Sequence, residues 1–408
     1  MSTALRALLP GVLALLVAAP AGAPTAVEID AGARRAGKGL KGVVRKLASN
    51  RLAGRDNDSE GSALARKLLV KKLSKIGGGL APAAGTDAYL QPFVRNNRVG
   101  TNVLAVIPGR ELPDEYVMVG AHYDHLAPGT CEATPSDPND EICNGATDNA
   151  AGTAAVLAVG KAIARLKEPP RRSVVLAFWD AEEDGLQGSA YYVSDPLVPL
   201  DQTVAYVNLD IQGSVLSPSL RDTTIAVGSE TGGEALRTIV EAAAGTQTLD
   251  YAFLSYVFGQ GRSDYAPFGS AGVPIVFFTD ATGACYHTTG DEVKQVDFRK
   301  LARQNAVVFR TVVALSEADA APVFVAPGNP LVSFEDAVAL HGVLAAAIPA
   351  DLGLFPPDVQ TALVGNLETL EAIVAEGAAE FGEDDGGAVL VRAGAVLDRL
   401  TALDCPAF

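Results

Sequence analysis

From about residue 100 the chain alternates between two textures. Short runs rich in Val, Ile and Phe, "TNVLAVIPG", "EYVMVGAH", "RRSVVLAFWD", "QTVAYVNLD", "TTIAVGS" and "GVPIVFFTD", have the length and composition of buried strands. Between several of them lie "NAAGTAAVLAVGKAIARLK" and "GGEALRTIVEAAAG", which read as helices. Strands that are apolar throughout and alternate with helices predict an α/β fold. Its central sheet should be mixed, mostly parallel and flanked by helices. Residues 33–78 read as a helical lead-in, because "GKGLKGVVRKLAS" and "GSALARKLLVKKLSKIG" carry apolar positions three and four apart. Beyond about 318 the strands cease. "FEDAVALHGVLAAAI", "PPDVQTALVGNLETLEAIVAEGAAEF" and "GGAVLVRAGAVLDRLTAL" predict three helices, set off by Pro322, Pro327 and Pro330. The expected organisation is an α/β unit over 27–317 and a helical C-terminal extension over 318–408.

The first 26 residues have a different character. "MSTALRALLPGVLALLVAAPAGAPTA" has one positive charge, a short apolar region and then small residues, the layout of a secretory signal peptide cleaved near Ala23 or Ala26. A membrane anchor is the rival reading, but Pro10, Pro20 and Pro24 interrupt the run, and its most apolar part is short for a span. The expected location is extracellular or periplasmic, with no membrane attachment after cleavage. Four cysteines then enter an oxidising compartment. Cys131 and Cys143 bracket a turn-rich loop that a disulfide would close, and Cys285 and Cys405 are left for a second bridge, although four cysteines permit three pairings. The net charge of −16 and the lack of any basic stripe exclude a nucleic-acid partner.

Chemistry gathers where predicted strands run out, which is where sites form in α/β sheets. "VGAHYDHL" places His122, Asp124 and His125 together, in a chain with four histidines. Asp148 follows in "NGATDNAAG", Glu182 and Glu183 in "WDAEEDGLQGS", Asp210 in "VNLDIQG" and His287 in "CYHTTGDE". Each alone has an ordinary explanation: a helix cap, a turn former or a solvated face. As a set, two imidazoles and several carboxylates without thiolate fit Zn²⁺ or a similar ion bound by nitrogen and oxygen. Two ions sharing one carboxylate need about five protein ligands. His122, Asp148, Glu183, Asp210 and His287 supply them. Glu182, next in sequence to a ligand, is placed to act as a general base.

This pattern resembles the M28 family of co-catalytic zinc peptidases, most of them aminopeptidases. The resemblance runs over roughly 45–317, through "LAGR", "NVLAVIPG", "GAHYDHL", "NGATDNAAG", "AEEDGLQGS", "NLD", "GRSDYAPF" and "YHTTGDEV". It implies a zinc aminopeptidase-like sheet and two Zn²⁺ per chain. Asp148 would bridge the ions, His122 and Asp210 complete one, and Glu183 and His287 complete the other. Glu182 would deprotonate a bridging water, and Tyr286 would donate to the oxyanion. Asp124 would accept a hydrogen bond from the far nitrogen of His122. A cis peptide at Asp148–Asn149, accommodated by Gly145 and Gly152, is also implied. His125 is expected to be a bystander and His341 structural. The implied function is removal of N-terminal residues from peptides with a free N-terminus. Alternatives are a glutaminyl cyclase-like enzyme with one zinc, and a carboxypeptidase-type member with Arg262 as its candidate carboxylate anchor. A non-enzymatic protein on the same fold is a third reading, disfavoured by the complete ligand set. The chain departs from the family at Tyr265, where many members carry histidine, and in the Cys131–Cys143 loop and the C-terminal helices.

Overall fold

The computed structural model describes residues 22–328, 331–400, 403 and 405, with the backbone alone for 394–399. All but the last five residues of the expected signal segment therefore lie outside the described residues.

Nine strands form one sheet: β1 (Ala81–Pro82), β2 (Leu90–Arg95), β3 (Arg98–Ile107), β4 (Leu112–His122), β5 (Arg172–Trp179), β6 (Thr203–Leu209), β7 (Thr223–Val227), β8 (Asp250–Leu254) and β9 (Ile275–Thr279). The order is β1-β3-β5-β4-β6-β9-β7-β8, with β2 also paired to β3. The four central strands β5, β4, β6 and β9 are parallel, while β3 runs antiparallel to β5 and β7 antiparallel to β9. Every residue of β5, β6, β7 and β9 is buried, which explains their unbroken apolar runs.

The pattern along the chain did not predict β1, β2 or β8. β2, "LQPFVR", is buried at alternate positions and contains Pro92. Both features belong to an edge strand, where one face is wet and a missing N–H does no harm. β8, "DYAFL", is likewise only partly buried and pairs with β7 at the far edge.

Among the described residues eleven helices surround the sheet: α1 (Ala26–Ala36), α2 (Leu40–Leu47), α3 (Glu60–Leu73), α4 (Gly152–Ile163), α5 (Gln187–Ser194), α6 (Gly233–Ala244), α7 (Tyr265–Ser270), α8 (Phe298–Glu317), α9 (Phe334–Asp351), α10 (Pro357–Glu376) and α11 (Glu383–Leu400). Helices α1, α2, α4, α6 and α8 bury their apolar stripes against one face, on Val117, Val119, Leu176 and Val207. The other face, carrying Met118, Trp179, Tyr206 and Ile275, is covered by α5, α7 and the three C-terminal helices.

The C-terminal helices share that second core rather than enclosing one of their own. Leu340, Leu344, Leu363 and Leu370 are almost wholly buried in it. Two buried carboxylates fasten α9 at its ends. Asp336 caps α9 through Ser333 and also accepts hydrogen bonds from the amide and hydroxyl of Ser255, just after β8, at 2.7 Å each. Asp351 accepts from the amide and hydroxyl of Ser219, just before β7, at 2.7 and 3.0 Å. A disulfide, Cys285–Cys405, ties the end of the chain to the loop after β9, and a second joins Cys131 to Cys143.

Because Leu344 is fully buried, Leu344→Ala should cost about 2–5 kcal/mol of stability. Denaturant unfolding followed by near-UV circular dichroism should still show one transition for the whole chain. A separate early transition would mean that the C-terminal helices melt alone.

Candidate metal centre

The chain leaves β4 toward β5 on one side and returns to its other side as β6, so a crevice opens at the carboxyl ends of these strands. His122 is the last residue of β4, level with Trp179 at the end of β5. Glu182 and Glu183 lie just beyond β5, and Asp210 directly follows β6. Asp148 sits in an irregular turn entering α4, and His287 in the loop after β9.

These side chains converge. The Nε2 atom of His122 lies 3.1 Å from Asp210 Oδ1 and 3.2 Å from Asp148 Oδ1. The Nε2 atom of His287 lies 3.1 Å from Glu183 Oε2 and 3.3 Å from Asp148 Oδ2. The two oxygens of Asp148 thus face two different imidazole–carboxylate pairs. Glu182 Oε2 stands slightly apart, 3.9 Å from His122 Nε2. Donor atoms of His122, Asp148 and Glu183 fall within 4.8 Å of one another, as do those of His122, Glu182 and Asp210.

Asp148, Glu182 and Asp210 are buried here and Glu183 is half-buried, and among the described residues no Lys or Arg forms an ion pair with any of these carboxylates. The buried His287 Nε2 has no hydrogen-bond partner although it points into the cluster. Uncompensated buried charge is costly. A divalent ion bound by nitrogen and oxygen would satisfy both conditions, so the residues fit such a group.

Without it, the imidazoles carry the compensation. Burial opposes charge on His287, but Asp148 and Glu183 raise its pKa to about 10. Burial likewise opposes charge on His122, and Asp210 and Glu182 push it well up. Burial works to raise Asp148, yet the imidazoles of His122 and His287 hold its carboxyl well below the usual range. Burial dominates at Glu182, reinforced by Asp210 and Glu183 and opposed by His122, and lifts it well above the ordinary carboxyl range.

Each member of the cluster is held from behind. The Asp148 turn begins at Gly145, whose φ of +54° and closeness to the Asp148 carbonyl and the His125 ring leave no room for a side chain. The Asp148–Asn149 peptide is cis, and Gly152 packs directly on the Asn149 side chain. Asp291 accepts hydrogen bonds from the amides of Thr147 and Asp148 and from the Thr147 hydroxyl. The fully buried guanidinium of Arg55 donates to the carbonyls of Tyr123, Asn144 and Gly145 at 2.6–2.8 Å, and to that of Asp148 at 3.3 Å.

Asp210 ends a one-way chain of hydrogen bonds. Trp179 Nε1 donates to Tyr206, Tyr206 to Asn208, Asn208 to Ser263 and the Ser263 hydroxyl to Asp210 Oδ2, each at 2.7–2.8 Å. This leaves Oδ1 for the cluster. Asp124 Oδ1 is 3.5 Å from His122 Nδ1, and its Oδ2 accepts from the Glu183 amide at 3.2 Å.

His125 is not the expected bystander. Its ring is fully buried, with Nδ1 2.6 Å from Glu183 Oε1, so it holds the oxygen of that carboxylate opposite to the one His287 meets. His341 lies on α9, as expected of a residue outside the site.

The loop carrying Tyr286 and His287 is braced from three directions. The residue after Cys131, Glu132, exchanges backbone hydrogen bonds with His287 and Thr289 at 2.9 and 2.8 Å, while Cys285 is bonded to Cys405. Where the loop leaves β9, Asp280 is paired with the wholly buried Lys300 of α8 at 2.9 Å. The Tyr286 ring stacks on His287 with centroids 3.8 Å apart. Beside this loop is a cavity of about 340 Å³ whose wall includes Asp148, Glu182, Glu183 and Asp210. Ile225, Val227, Leu254, Phe258 and Phe277 make up its apolar part.

Arg55, Ser263 and Asp291 escaped the reading of the sequence as site residues, although all three lie in the quoted "LAGR", "GRSDYAPF" and "TTGDEV" runs. A buried arginine and two short polar residues carry no periodic signal; their partners are 53–144 positions away.

Two outcomes follow from this arrangement. Ser263→Ala should leave the fold intact and weaken divalent-ion binding roughly 10- to 100-fold, measured by competition with a chromogenic chelator. Because the carboxylates raise the pKa of both imidazoles, that of His287 to about 10, ion uptake by the apoprotein should release protons, and affinity should fall as pH falls. Calorimetric titration in buffers of differing ionisation enthalpy measures the release.

Comparison with known proteins agrees with this geometry. Residues 102–312 match Peptidase family M28. Leupeptin-inactivating enzyme 1 of Streptomyces exfoliatus is 29% identical over 285 residues, 63% of this chain, and the aligned region is 56% of that protein's length. In fold, the LapA aminopeptidase of Legionella pneumophila superposes with a TM-score of 0.57 at 16% identity, covering 72% of this chain and 75% of LapA. Porphyromonas gingivalis glutaminyl cyclase superposes with a TM-score of 0.55 at 17% identity, covering 67% of this chain and 96% of the cyclase. With the family match spanning half the chain, and with imidazoles and carboxylates gathered at the sheet's carboxyl edge, this protein belongs to peptidase family M28.

Proposed function

We propose that the protein is an exported aminopeptidase that holds two zinc ions and removes N-terminal residues from peptides. One observation carries the reading: Asp148 turns one oxygen to His122 and Asp210 and the other to His287 and Glu183. Two ions sharing Asp148 would be held by these five residues. When bound, they supply Lewis acidity toward the scissile carbonyl and acidify the attacking water.

The chain's own groups do the rest. Glu182 stands 3.9 Å from His122 and next in sequence to Glu183, farther from His122 than Asp148 and Asp210 are, so its carboxylate is the one left to take the proton from the attacking water and return it to the leaving amine. Burial, with Asp148, Glu183 and Asp210 nearby, raises the Tyr286 phenol far above its ordinary pKa, so it remains a hydrogen-bond donor to the developing oxyanion. His125 orients Glu183, and Asp124, whose Oδ1 faces His122 Nδ1 at 3.5 Å without a hydrogen bond, would orient that ring by closing on it. The apolar part of the cavity suits an uncharged N-terminal side chain, and the acidic wall suits the free ammonium group. A single-zinc cyclase would leave one of the two imidazole–carboxylate pairs without a purpose.

Export is supported by two disulfides and the apolar N-terminus. Cleavage after Ala23 would retain Thr25, whose hydroxyl caps α1 in a reciprocal pair with Glu28.

The two adjacent glutamates give the sharpest test. Glu182→Gln should keep its zinc and lose about a hundred- to ten-thousand-fold in kcat, with little change in KM. Glu183→Gln should instead lose zinc, because an amide is a poorer ligand. Metal analysis and aminoacyl-anilide kinetics on both variants read these outcomes. Near-wild-type turnover by Glu182→Gln, or an exchange of the two phenotypes, would refute the assigned roles.

A further inference from the structure

Apart from His287, the cavity beside the metal centre has a single basic lining residue, Arg262. The chain carries 48 acidic residues against 32 lysines and arginines, and arginines such as Arg98, Arg221 and Arg303 are paired with carboxylates. Arg262 is exposed, and within the described residues its guanidinium has no ion pair. It lies 5.9 Å from the centroid of the Tyr286 ring, at the edge of the cavity where that ring faces the cluster.

The backbone beneath this arginine is well fixed. Its amide donates to the Gly259 carbonyl at 3.1 Å, and the preceding Gly261 amide donates to the buried Tyr265 hydroxyl at 2.7 Å. The next residue is Ser263, which holds Asp210. Tyr265 is the position at which the chain departs from the family's common histidine, and here it anchors the turn that presents Arg262.

A lone guanidinium in an otherwise acidic cleft presents a fork of donors matched to a carboxylate. The apolar part of the cavity leaves no partner for an acidic side chain lodged there. A residue in extended conformation advances the chain by about 3.3–3.6 Å. Arg262 lies 5.9 Å from the Tyr286 ring, and that ring 3.8 Å from the His287 ring, so the guanidinium stands on the scale of a residue or two from the centre, where the α-carboxylate of the residue just after the scissile bond would lie. We infer that Arg262 binds this carboxylate, making short peptides with a free C-terminus, dipeptides above all, the preferred substrates. In a chain of net charge −16, the same cation offsets the repulsion that an acidic cleft exerts on such substrates. Arg262 acts here on specificity, and the inference rests on the aminopeptidase reading.

The experiment compares leucyl-alanine, leucyl-alanine amide and leucyl-4-nitroanilide on the wild type, Arg262→Ala and Arg262→Lys. The wild type should favour the free acid over the amide. Arg262→Ala should raise KM for leucyl-alanine roughly three- to tenfold, as expected for a charge-assisted but solvent-exposed contact, with kcat nearly unchanged. The amide and anilide should be unaffected, zinc content should stay constant, and Arg262→Lys should recover part of the loss. An equal change on all three substrates, or no change on leucyl-alanine, overturns the role of Arg262 while leaving the aminopeptidase reading intact. If the wild type cleaves none of the three but shortens N-acetylated peptides from the C-terminus, the aminopeptidase reading fails and takes this inference with it.

Discussion

The shared carboxylate of Asp148 is the constraint around which this molecule is arranged. Its two oxygens must face two imidazoles at once, in a pocket where burial alone would favour the neutral acid. That orientation is strongly determined. Asp291 fixes the backbone amides around it, Arg55 gathers the neighbouring carbonyls, and Gly145 and Gly152 give way where a side chain would collide. Free energy spent on ordering these groups is recovered in ion binding rather than in the stability of the protein alone. Polar networks of this kind rigidify a site when every member is satisfied, and are costly when one is not.

The cluster is unevenly supported. His122, Asp210 and Glu183 are rooted at the ends of buried parallel strands, and the Trp179–Tyr206–Asn208–Ser263 chain runs through the core behind Asp210. His287 comes instead from a loop and is the most exposed of the five candidate ligands, with a third of its side chain accessible. Its position depends on contacts distant in the chain: the Cys131–Cys143 segment on one side, the Cys285–Cys405 bond on another, and the Lys300–Asp280 pair at its base. Through Cys405, the C-terminal helices reach this loop as well as covering one face of the sheet.

Legibility followed the range of the interactions. Central strands buried on both faces could be read as continuous apolar runs, and helices as periodic ones, because the signal lies within each segment. The edge strands β2 and β8 could not, since half of their residues face solvent or neighbouring loops and their pairing is decided by β3 and β7. The acids and histidines of the centre were visible because several stand where apolar runs stop, and because so few histidines were available to account for. His125 was misread: its contact with Glu183 spans 58 residues and depends on the turn after β4 meeting the turn after β5.

What the sequence determined by itself was the alternation of elements, the sheet they would form and the donor types assembled at one edge. Burial preferences and ligand chemistry act locally and are written residue by residue. Tertiary structure alone decided which oxygen faces which imidazole, which groups hold them there, and where one unpaired arginine overlooks the cleft. Those outcomes are differences of an ångström or two between groups up to 144 residues apart, and only a packed core, in which no side chain can move without displacing another, sets distances that finely.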